Sequence, residues 1–175
     1  MIKRVVQFYR AITARLSVKD IQQIKEILPP TAQKLFFAMH LADQYHAFNV
    51  YKTAIALYEK LPITQKAEVN YKLLLQSALL HDVGRKNGDL NVLGKVVTVL
   101  LTAFVPNFSK KMAQKTQGIL NYWLYIYYNH PAIGAEKLRA IGMINTAEIV
   151  ARHHAAPNQK DSIELKILKI ADEQN

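Results

Sequence analysis

One stretch decides the fold, Leu73-Leu74-Leu75-Gln76-Ser77-Ala78-Leu79-Leu80-His81-Asp82-Val83-Gly84. It is apolar on every side up to its last residues, which is typical of a helix buried in a protein core. We predict a helix over about 66–83 that ends at Gly84, because glycine readily adopts the left-handed conformation that ends helices. The adjacent His81 and Asp82 are therefore carried into the interior, where ionisable groups are rare unless something pairs with them.

The composition of the chain limits the classes of protein to which it can belong. The chain has 175 residues, 50% of them hydrophobic, so it fits one globular domain with a substantial core. It has no cysteine, which excludes disulfides, thiolate metal sites and a cysteine nucleophile, and is compatible with the cytoplasmic location that we predict. The net charge of +10 favours anionic partners, although a solvated basic surface accounts better for most of the scattered lysines. No segment reaches the ~18 apolar residues of a membrane span, and residues 1–10 make a poor secretory signal.

Three helices are predicted at the N-terminus. Residues 2–16 form an amphipathic basic helix, for which packing on the body of the protein is favoured over anchoring at a membrane surface. Two further helices, over about 18–28 and 32–41, are separated by Pro29-Pro30. We therefore predict an N-terminal helical extension, residues 1–42, packed on one compact unit, residues 43–175.

Histidines recur at the next predicted helices. A helix over about 44–61 places His46 on the same face as core residues, although such a histidine alone is more often a hydrogen-bonded core residue than a ligand. His40 has no comparable setting and is assigned to the surface. Pro131 suits the first turn of a helix, so His130 is predicted at a helix start with its side chain free to reach inward.

The last two predicted helices end near further ionisable residues. A helix over about 146–155 ends in Arg152-His153-His154; neighbours on a helix point about 100° apart, so at most one of the two histidines is expected to face inward. On the final helix, about 162–173, Asp172 shares an apolar face with Leu165 and Leu168 and needs a partner there.

Two segments between these motifs allow several interpretations. Residues 89–108 are strongly apolar; we predict a helix that ends before Pro106 and rank core packing first, an oligomer interface second and contact with a membrane surface third. Residues 119–128 are rich in tyrosine. They could wall a pocket or stack bases, but aromatic packing is the favoured interpretation.

Taken together, the ionisable residues favour a metal site. Each lies on or at the end of a predicted helix and is unusual for its face: His46, His81, Asp82, His130, His153 or His154, and Asp172. Imidazole nitrogen and carboxylate oxygen are good ligands for divalent transition metals. Helical bundles build metal centres from side chains on helices distant in sequence.

The same residues form an ordered pattern, His…His-Asp…His…His-His…Asp, that resembles the HD-domain superfamily of metal-dependent phosphohydrolases. The segments that carry the resemblance are Leu79-Leu80-His81-Asp82-Val83-Gly84, His130-Pro131-Ala132-Ile133-Gly134-Ala135 and Ile170-Ala171-Asp172. It covers about 43–173 and is strongest to small stand-alone bacterial members. It implies an all-α fold, the HD-domain helical bundle, here with extra N-terminal helices.

The resemblance also implies one or two divalent ions, drawn from Mn, Fe, Zn, Co, Ni and Mg. It assigns the first ion to four residues, His46, His81, Asp82 and Asp172. It assigns a second ion to His130 and one or both of His153 and His154, with Asp82 as the bridge.

The implied reaction is attack of a metal-activated water on a phosphorylated, nucleotide-like substrate, with Asp82 and Arg85 as catalytic residues and Arg85 and Lys86 binding the substrate. The family usually carries lysine where this chain has Arg85; arginine binds phosphate bidentately but does not readily donate a proton. The sequence Ala155-Ala156-Pro157-Asn158 replaces the GYP motif that marks the cyclic-di-GMP phosphodiesterases of the superfamily.

Two alternatives remain open from the sequence. One is a non-catalytic module that keeps the metal and binds a nucleotide, nucleic acid or membrane surface as a sensor; the basic charge and the apolar segment 89–108 favour it. The other is a purely structural bundle with hydrogen-bonded histidines. Assembly into a homo-oligomer is compatible with either.

Overall fold

The structure is a computed structural model that describes residues 15–86, 88–89, 92–115 and 117–175. The helix predicted over residues 2–16 lies almost entirely outside these ranges. Within them, all regular secondary structure is helical, which confirms the predicted all-α fold. The described helices are α1 Val18–Ile27, α2 Pro30–Phe37, α3 Leu41–Glu59, α4 Ile63–Glu68, α5 Tyr71–Leu80, α6 Val92–Phe104, α7 Pro106–Ala113, α8 Ile119–Ala140, α9 Ile144–Arg152 and α10 Ile163–Gln174.

Helix α5 lies at the centre of the bundle. It packs against α1, α2, α3, α9 and α10, and its side chains Leu74, Leu79 and Leu80 are fully buried. Each buried leucine contributes about 1.5–3 kcal/mol relative to an exposed one. The apolar character of the stretch 73–80 therefore fixes the helix in the core and places the residues that follow it, His81 and Asp82, in the interior.

The start of α5 differs from the predicted helix over 66–83. The side chain of Asn70 accepts a hydrogen bond from the amide of Leu73 (3.0 Å) and so begins a new helix, separate from the short α4. At the other end, the helix stops at Leu80, and residues 81–84 continue as turns. The His-Asp pair thus lies at the C-cap of the helix and in the turn that follows it.

Helix α3 begins earlier than predicted. His40 occupies its N-cap position, and its Nδ1 accepts a hydrogen bond from the amide of Ala42 (3.2 Å). The assignment of His40 to the surface is therefore wrong, because the residue is partly buried and caps a helix.

Helix α8 contains Pro131 in its interior. The prediction that His130 stands at a helix start is wrong, because the helix runs without interruption from Ile119 to Ala140. The helix ends at Ala140, and Gly142, which follows its C-cap residue, has a φ of +79°.

Helices α6 and α7 stand apart from the main core. They pack against one another and against α8, and the main hydrophobic core draws none of its described residues from them. Helix α6 ends before Pro106 as predicted, but Val96, Leu100 and Phe104 are exposed, so core packing is wrong for this face. Within the ranges that the structure describes, no helix is long and apolar enough to cross a membrane.

Candidate metal centre

Seven residues predicted as metal ligands come together at one end of α5. They arrive from five places in the chain: His46 on α3, His81 and Asp82 after α5, His130 within α8, His153 and His154 after α9, and Asp172 on α10. Their mutual contacts divide them into two groups that meet at Asp82.

The first group surrounds His81. Its Nε2 lies 3.7 Å from Oδ2 of Asp82 and 3.7 Å from Oδ1 of Asp172. The same oxygen of Asp172 lies 3.0 Å from Nε2 of His46. One ligand atom from each of His46, His81 and Asp82 falls within 4.8 Å of the others, which is the spacing of side chains that share one metal ion.

The second group consists of three histidines whose ligand atoms also lie within 4.8 Å of one another, His130, His153 and His154. Oδ1 of Asp82 lies 3.2 Å from Nε2 of His130 and 4.0 Å from Nε2 of His153. The two oxygens of Asp82 thus face different groups, as a bridging carboxylate requires.

Both His153 and His154 reach the site, which corrects the expectation that only one would. Helix α9 ends at Arg152; His153 is its C-cap, with a φ of −63° and a ψ of −26°, and His154 lies in the turn that follows. His153 is buried, whereas His154 is half-exposed and places its Nδ1 3.9 Å from Oδ2 of Asp172.

Three histidines are oriented by backbone carbonyls. In each, Nδ1 lies within hydrogen-bond distance of the carbonyl oxygen three residues earlier: His81 to Ala78 (2.9 Å), His130 to Tyr127 (2.8 Å) and His153 to Val150 (2.7 Å). A carbonyl oxygen can only accept, so Nδ1 carries the proton and the unprotonated Nε2 points into the site. This arrangement fixes the tautomer of metal-binding histidines in general.

Local backbone structure explains why these three carbonyls can accept a hydrogen bond from a histidine. Ala78 and Val150 belong to the last turns of α5 and α9, where helix carbonyls have few intrahelical partners; the Val150 carbonyl also accepts a hydrogen bond from the amide of His153 (3.5 Å). Tyr127 lies in the middle of α8, but its ordinary partner would be the amide of residue 131, and Pro131 has no amide hydrogen. The proline that sequence reasoning placed at a helix start therefore frees the carbonyl that orients His130.

The donor atoms of the site fit a divalent cation. Within the described part of the chain, five buried side-chain atoms have no hydrogen-bond partner, and three of them belong to this site: His81 Nε2, Asp82 Oδ1 and His153 Nε2. Because Nδ1 of His130 holds the proton, its Nε2 and the Asp82 oxygen 3.2 Å away are two acceptors facing each other. Buried acceptors in this arrangement are costly unless a cation or a proton lies between them.

The histidines of the second group are not protonated at neutral pH, so a proton does not fill this place. Burial and the charge of Arg85 lower the pKa of His130, and burial with the neighbouring imidazoles lowers the pKa of His153 well below its usual range. Burial and the neighbouring His130 lower the pKa of His154 to about 4. Three neutral imidazoles are therefore available as ligands.

The first group behaves differently. Burial lowers the pKa of His46, but its hydrogen bond to Asp172 and the charges of Asp82 and Asp172 outweigh burial and raise it. Burial works against ionisation of Asp82 and Asp172, yet the cationic groups around them hold the pKa of each carboxyl well below its usual range. Both carboxylates are thus charged at neutral pH.

Arg85 covers the junction between the two groups. Its Nη1 donates to Oδ2 of Asp82 (2.9 Å) and lies 3.9 Å from Oδ1 of Asp43. Its Nη2 is 3.1 Å from Nε2 and 3.4 Å from Nδ1 of His130. A donor in the plane of the ring, aligned with the Nε2 lone pair, would be much farther from Nδ1 than from Nε2. Because Nη2 is almost equally far from both nitrogens, the guanidinium lies over the face of the imidazole, where arginine commonly stacks. The Nε2 lone pair stays available to a metal.

The turn that carries Asp82 is pressed directly onto α8. A Cβ atom on Gly84 would lie 2.0 Å from the carbonyl oxygen of His130, and one on Gly134 would lie 3.1 Å from the amide nitrogen of Gly84. Nζ of Lys137 donates to the carbonyls of Val83 (2.9 Å) and Gly84 (3.3 Å). These contacts set the position of Asp82 relative to His130.

Sequence reasoning missed two of these supporting residues. Asp43 is buried and approaches Arg85; its position three residues before His46 on one helical face was the signal for it. Lys137 was not identified, and nothing in its local sequence distinguishes it. Lys86 is exposed, and its amide donates to Asp89 (3.0 Å), so its predicted role in substrate binding stays a prediction.

The tyrosine-rich part of α8 mainly forms hydrogen bonds and ring contacts. The hydroxyl of Tyr122 donates to Oδ1 of Asp89 (2.8 Å), and the hydroxyls of Tyr128 and Ser109 are 2.7 Å apart. These contacts join α8 to α7 and to the segment after Lys86. The prediction that this run forms a substrate-side wall stays a prediction.

Comparison with known proteins gives one result. The family model described as HD domain matches residues 44–173, which is most of the chain and spans all seven residues of the site. The comparison with curated proteins gave no match, and the comparison with solved structures gave none either.

Proposed function

Because this chain belongs to the HD-domain family, whose members are generally metal-dependent hydrolases, we propose that it is a metal-dependent phosphohydrolase or phosphodiesterase acting on a nucleotide-like substrate. The observation that carries the proposal is the position of Asp82. One oxygen faces His81 and the other faces His130 and His153, so a single buried carboxylate can serve two ligand groups.

Each of the two ligand groups would hold one metal ion. His46, His81, Asp82 and Asp172 would hold one ion, and the three remaining histidines with Asp82 would hold the other. When bound, a divalent ion supplies an acidified water near neutral pH and positive charge beside the phosphoryl oxygens. The five imidazoles against two carboxylates favour Mn, Fe, Co, Ni or Zn over Mg, which prefers oxygen ligands.

Arg85 is the proposed phosphate clamp. It is partly exposed beside the buried Asp82, and its pKa is raised by Asp82, Asp43 and Asp172 against the effect of burial, so it is cationic at every working pH. Its Nη1 donates to Asp82, and the remaining N–H groups of the guanidinium can donate to a phosphoryl oxygen as a second anionic partner. Arg85 therefore orients the substrate and does not act as a general acid. Lys86, exposed next to it, would add a second positive charge.

A substrate panel tests this function. The protein loaded in turn with each candidate metal is assayed with nucleoside phosphates, dinucleoside polyphosphates, cyclic nucleotides and simple phosphate mono- and diesters. We expect turnover of at least one phosphorus ester, abolished by Asp82→Asn and His81→Asn. His40→Asn is the matched control: asparagine is a good N-cap, so α3 is retained while a histidine outside the site is removed.

A second candidate function, a non-catalytic metal-containing binding module, draws support from the exposed apolar face of α6. It would replace the enzymatic proposal if the metal-loaded protein hydrolysed none of these substrates and Asp82→Ala lowered only the thermal stability. The two functions agree on metal binding and differ in turnover alone.

A further inference from the structure

Helix α6 has three large apolar side chains on its exposed face. Gly94 and Thr98 are buried, and the Thr98 hydroxyl donates to the carbonyl of Gly94 (2.9 Å). The exposed residues are Val96, Leu100 and Phe104, the last with 79% of its surface accessible. Positions four apart lie on one face of a helix, so these three side chains form a continuous apolar stripe. A helix with this inverted pattern needs something to cover its outer face.

The apolar surface continues into α7. Val105 and Phe108 are also exposed, Phe108 with 56% of its surface accessible. Because α7 packs on α6, we name the exposed residues of the two helices and their junction the α6–α7 face: Val96, Leu100, Phe104, Val105 and Phe108.

The charged residues in the stretch of chain that forms this face have one sign. Lys110, Lys111 and Lys115 follow Phe108 and are exposed. From residue 90 to residue 135 the chain contains four lysines and no aspartate or glutamate. An apolar face flanked by lysines, with no acidic residue in that length of chain, is the chemical complement of an anionic lipid surface.

We propose that the α6–α7 face docks the protein on an anionic lipid bilayer. The apolar side chains would enter the boundary between headgroups and acyl chains, and the lysines would pair with lipid phosphates. A second copy of the chain fits less well, because a two-fold contact places the same patch against itself and would bring the lysines of one copy towards those of the other. The proposal does not depend on the activity of the metal centre.

Flotation with lipid vesicles tests the proposal. The full chain should bind vesicles of equimolar phosphatidylglycerol and phosphatidylcholine and not vesicles of phosphatidylcholine alone. Raising the salt from about 0.1 M to about 1 M shortens the screening length from about 10 to about 3 Å and should release most of the protein. Absence of binding to the anionic vesicles at low salt would overturn the proposal.

Variants locate the binding face. Phe104→Ser should lower the vesicle partition coefficient roughly tenfold or more, and Lys110→Gln with Lys111→Gln should lower it about 25-fold, at about 1 kcal/mol for each lysine. Ile63→Ser on α4 is the matched control, because Ile63 is 85% exposed and distant in sequence from the face. Its binding should equal that of the wild type.

Two results would assign the face differently. Binding that survives Phe104→Ser but is lost in Val5→Glu would place membrane contact in the N-terminal segment and overturn the proposal. A dimer in light scattering that Phe104→Ser dissociates, together with no vesicle binding, would assign the face to a second copy. Thermal melting of each variant separates loss of binding from loss of folding, since exposed positions should leave the melting temperature nearly unchanged.

Discussion

Nδ1 of His130 lies 2.8 Å from the carbonyl oxygen of Tyr127, the oxygen that the amide of residue 131 would bond in an uninterrupted helix. Because residue 131 is proline, that carbonyl has no helical partner and His130 takes it. A residue that ordinarily costs about 3 kcal/mol inside a helix is here compensated by a hydrogen bond that fixes the histidine tautomer.

We therefore predict opposite effects of Pro131→Ala on folding and on metal binding. Alanine restores the amide that competes for the Tyr127 carbonyl, so the metal-free protein should be as stable as the wild type or more so. Metal affinity should fall about 10–100-fold, the range found when a residue that orients a ligand is lost. Thermal unfolding of the metal-free protein measures the first effect, and calorimetric titration with metal measures the second. Pro106→Ala, at the start of α7, is the control, and equal affinity in the two variants would refute this role for Pro131.

Gly84 should tolerate no side chain. Its added Cβ would lie 2.0 Å from the carbonyl of His130, so Gly84→Ala must push the turn away from α8 and should destabilise the protein by about 1–3 kcal/mol. Metal binding should weaken as well, because Asp82 moves with the turn. Gly88→Ala serves as the control: its φ of +95° adds backbone strain, but its Cβ meets nothing within 4 Å. If both variants lose metal affinity equally, close packing at Gly84 is not the cause.

Replacing Arg85 should separate substrate binding from metal binding. Arg85→Gln removes a cation next to Asp82, so metal affinity should be retained or increased. The kcat/KM for the active substrate should fall about 10–100-fold, as expected for the loss of a hydrogen bond to a charged phosphoryl group. Arg85→Lys should restore part of it. An unchanged kcat/KM in Arg85→Gln would show that Arg85 does not bind the substrate phosphate.

The metal-free protein should lose stability when acidified from about pH 6.5 to about pH 4. In this window the unfolded chain protonates its histidines, whereas His130, His153 and His154 resist protonation in the folded chain, His154 down to about pH 4. The unfolded state therefore binds more protons and the free energy of unfolding falls. His46, whose pKa is raised, acts above this window: its contribution is present below about pH 6.5 and disappears as the pH rises through its folded pKa.

Thermal melts in chelator at several pH values measure this slope. His153→Asn should flatten it, because asparagine can still donate to the Val150 carbonyl but does not titrate. An unchanged slope in that variant would show that His153 does not contribute to it.

That these residues lie close together could be predicted from the sequence, because they stand out chemically. His81 and Asp82 follow an apolar run that can only be buried, and Asp172 interrupts an apolar face. The joint reach of His153 and His154 could not be predicted, because it depends on where Asp82 and Asp172 lie around the end of α9, and the local sequence does not encode those tertiary positions.

Tertiary compensation explains the remaining differences. Pro131 indicated a helix start because proline is known to destabilise the interior of a helix. Only the structure shows that the imidazole of His130 bonds the carbonyl that the proline leaves without a partner. The apolar residues of α6 indicated core packing, because a sequence pattern does not show on which side a helix meets its neighbours. Asp43 and Lys137 act across distances in sequence that no local pattern records.

Metal content tests the central claim most directly. The purified wild-type chain, dialysed after exposure to a candidate metal, should retain at least one ion per chain by elemental analysis, and Asp82→Asn should lose ions from both ligand groups while remaining folded. A wild-type protein that retains no metal from any of Mn, Fe, Co, Ni or Zn, or an Asp82→Asn variant with undiminished metal content, would contradict the account.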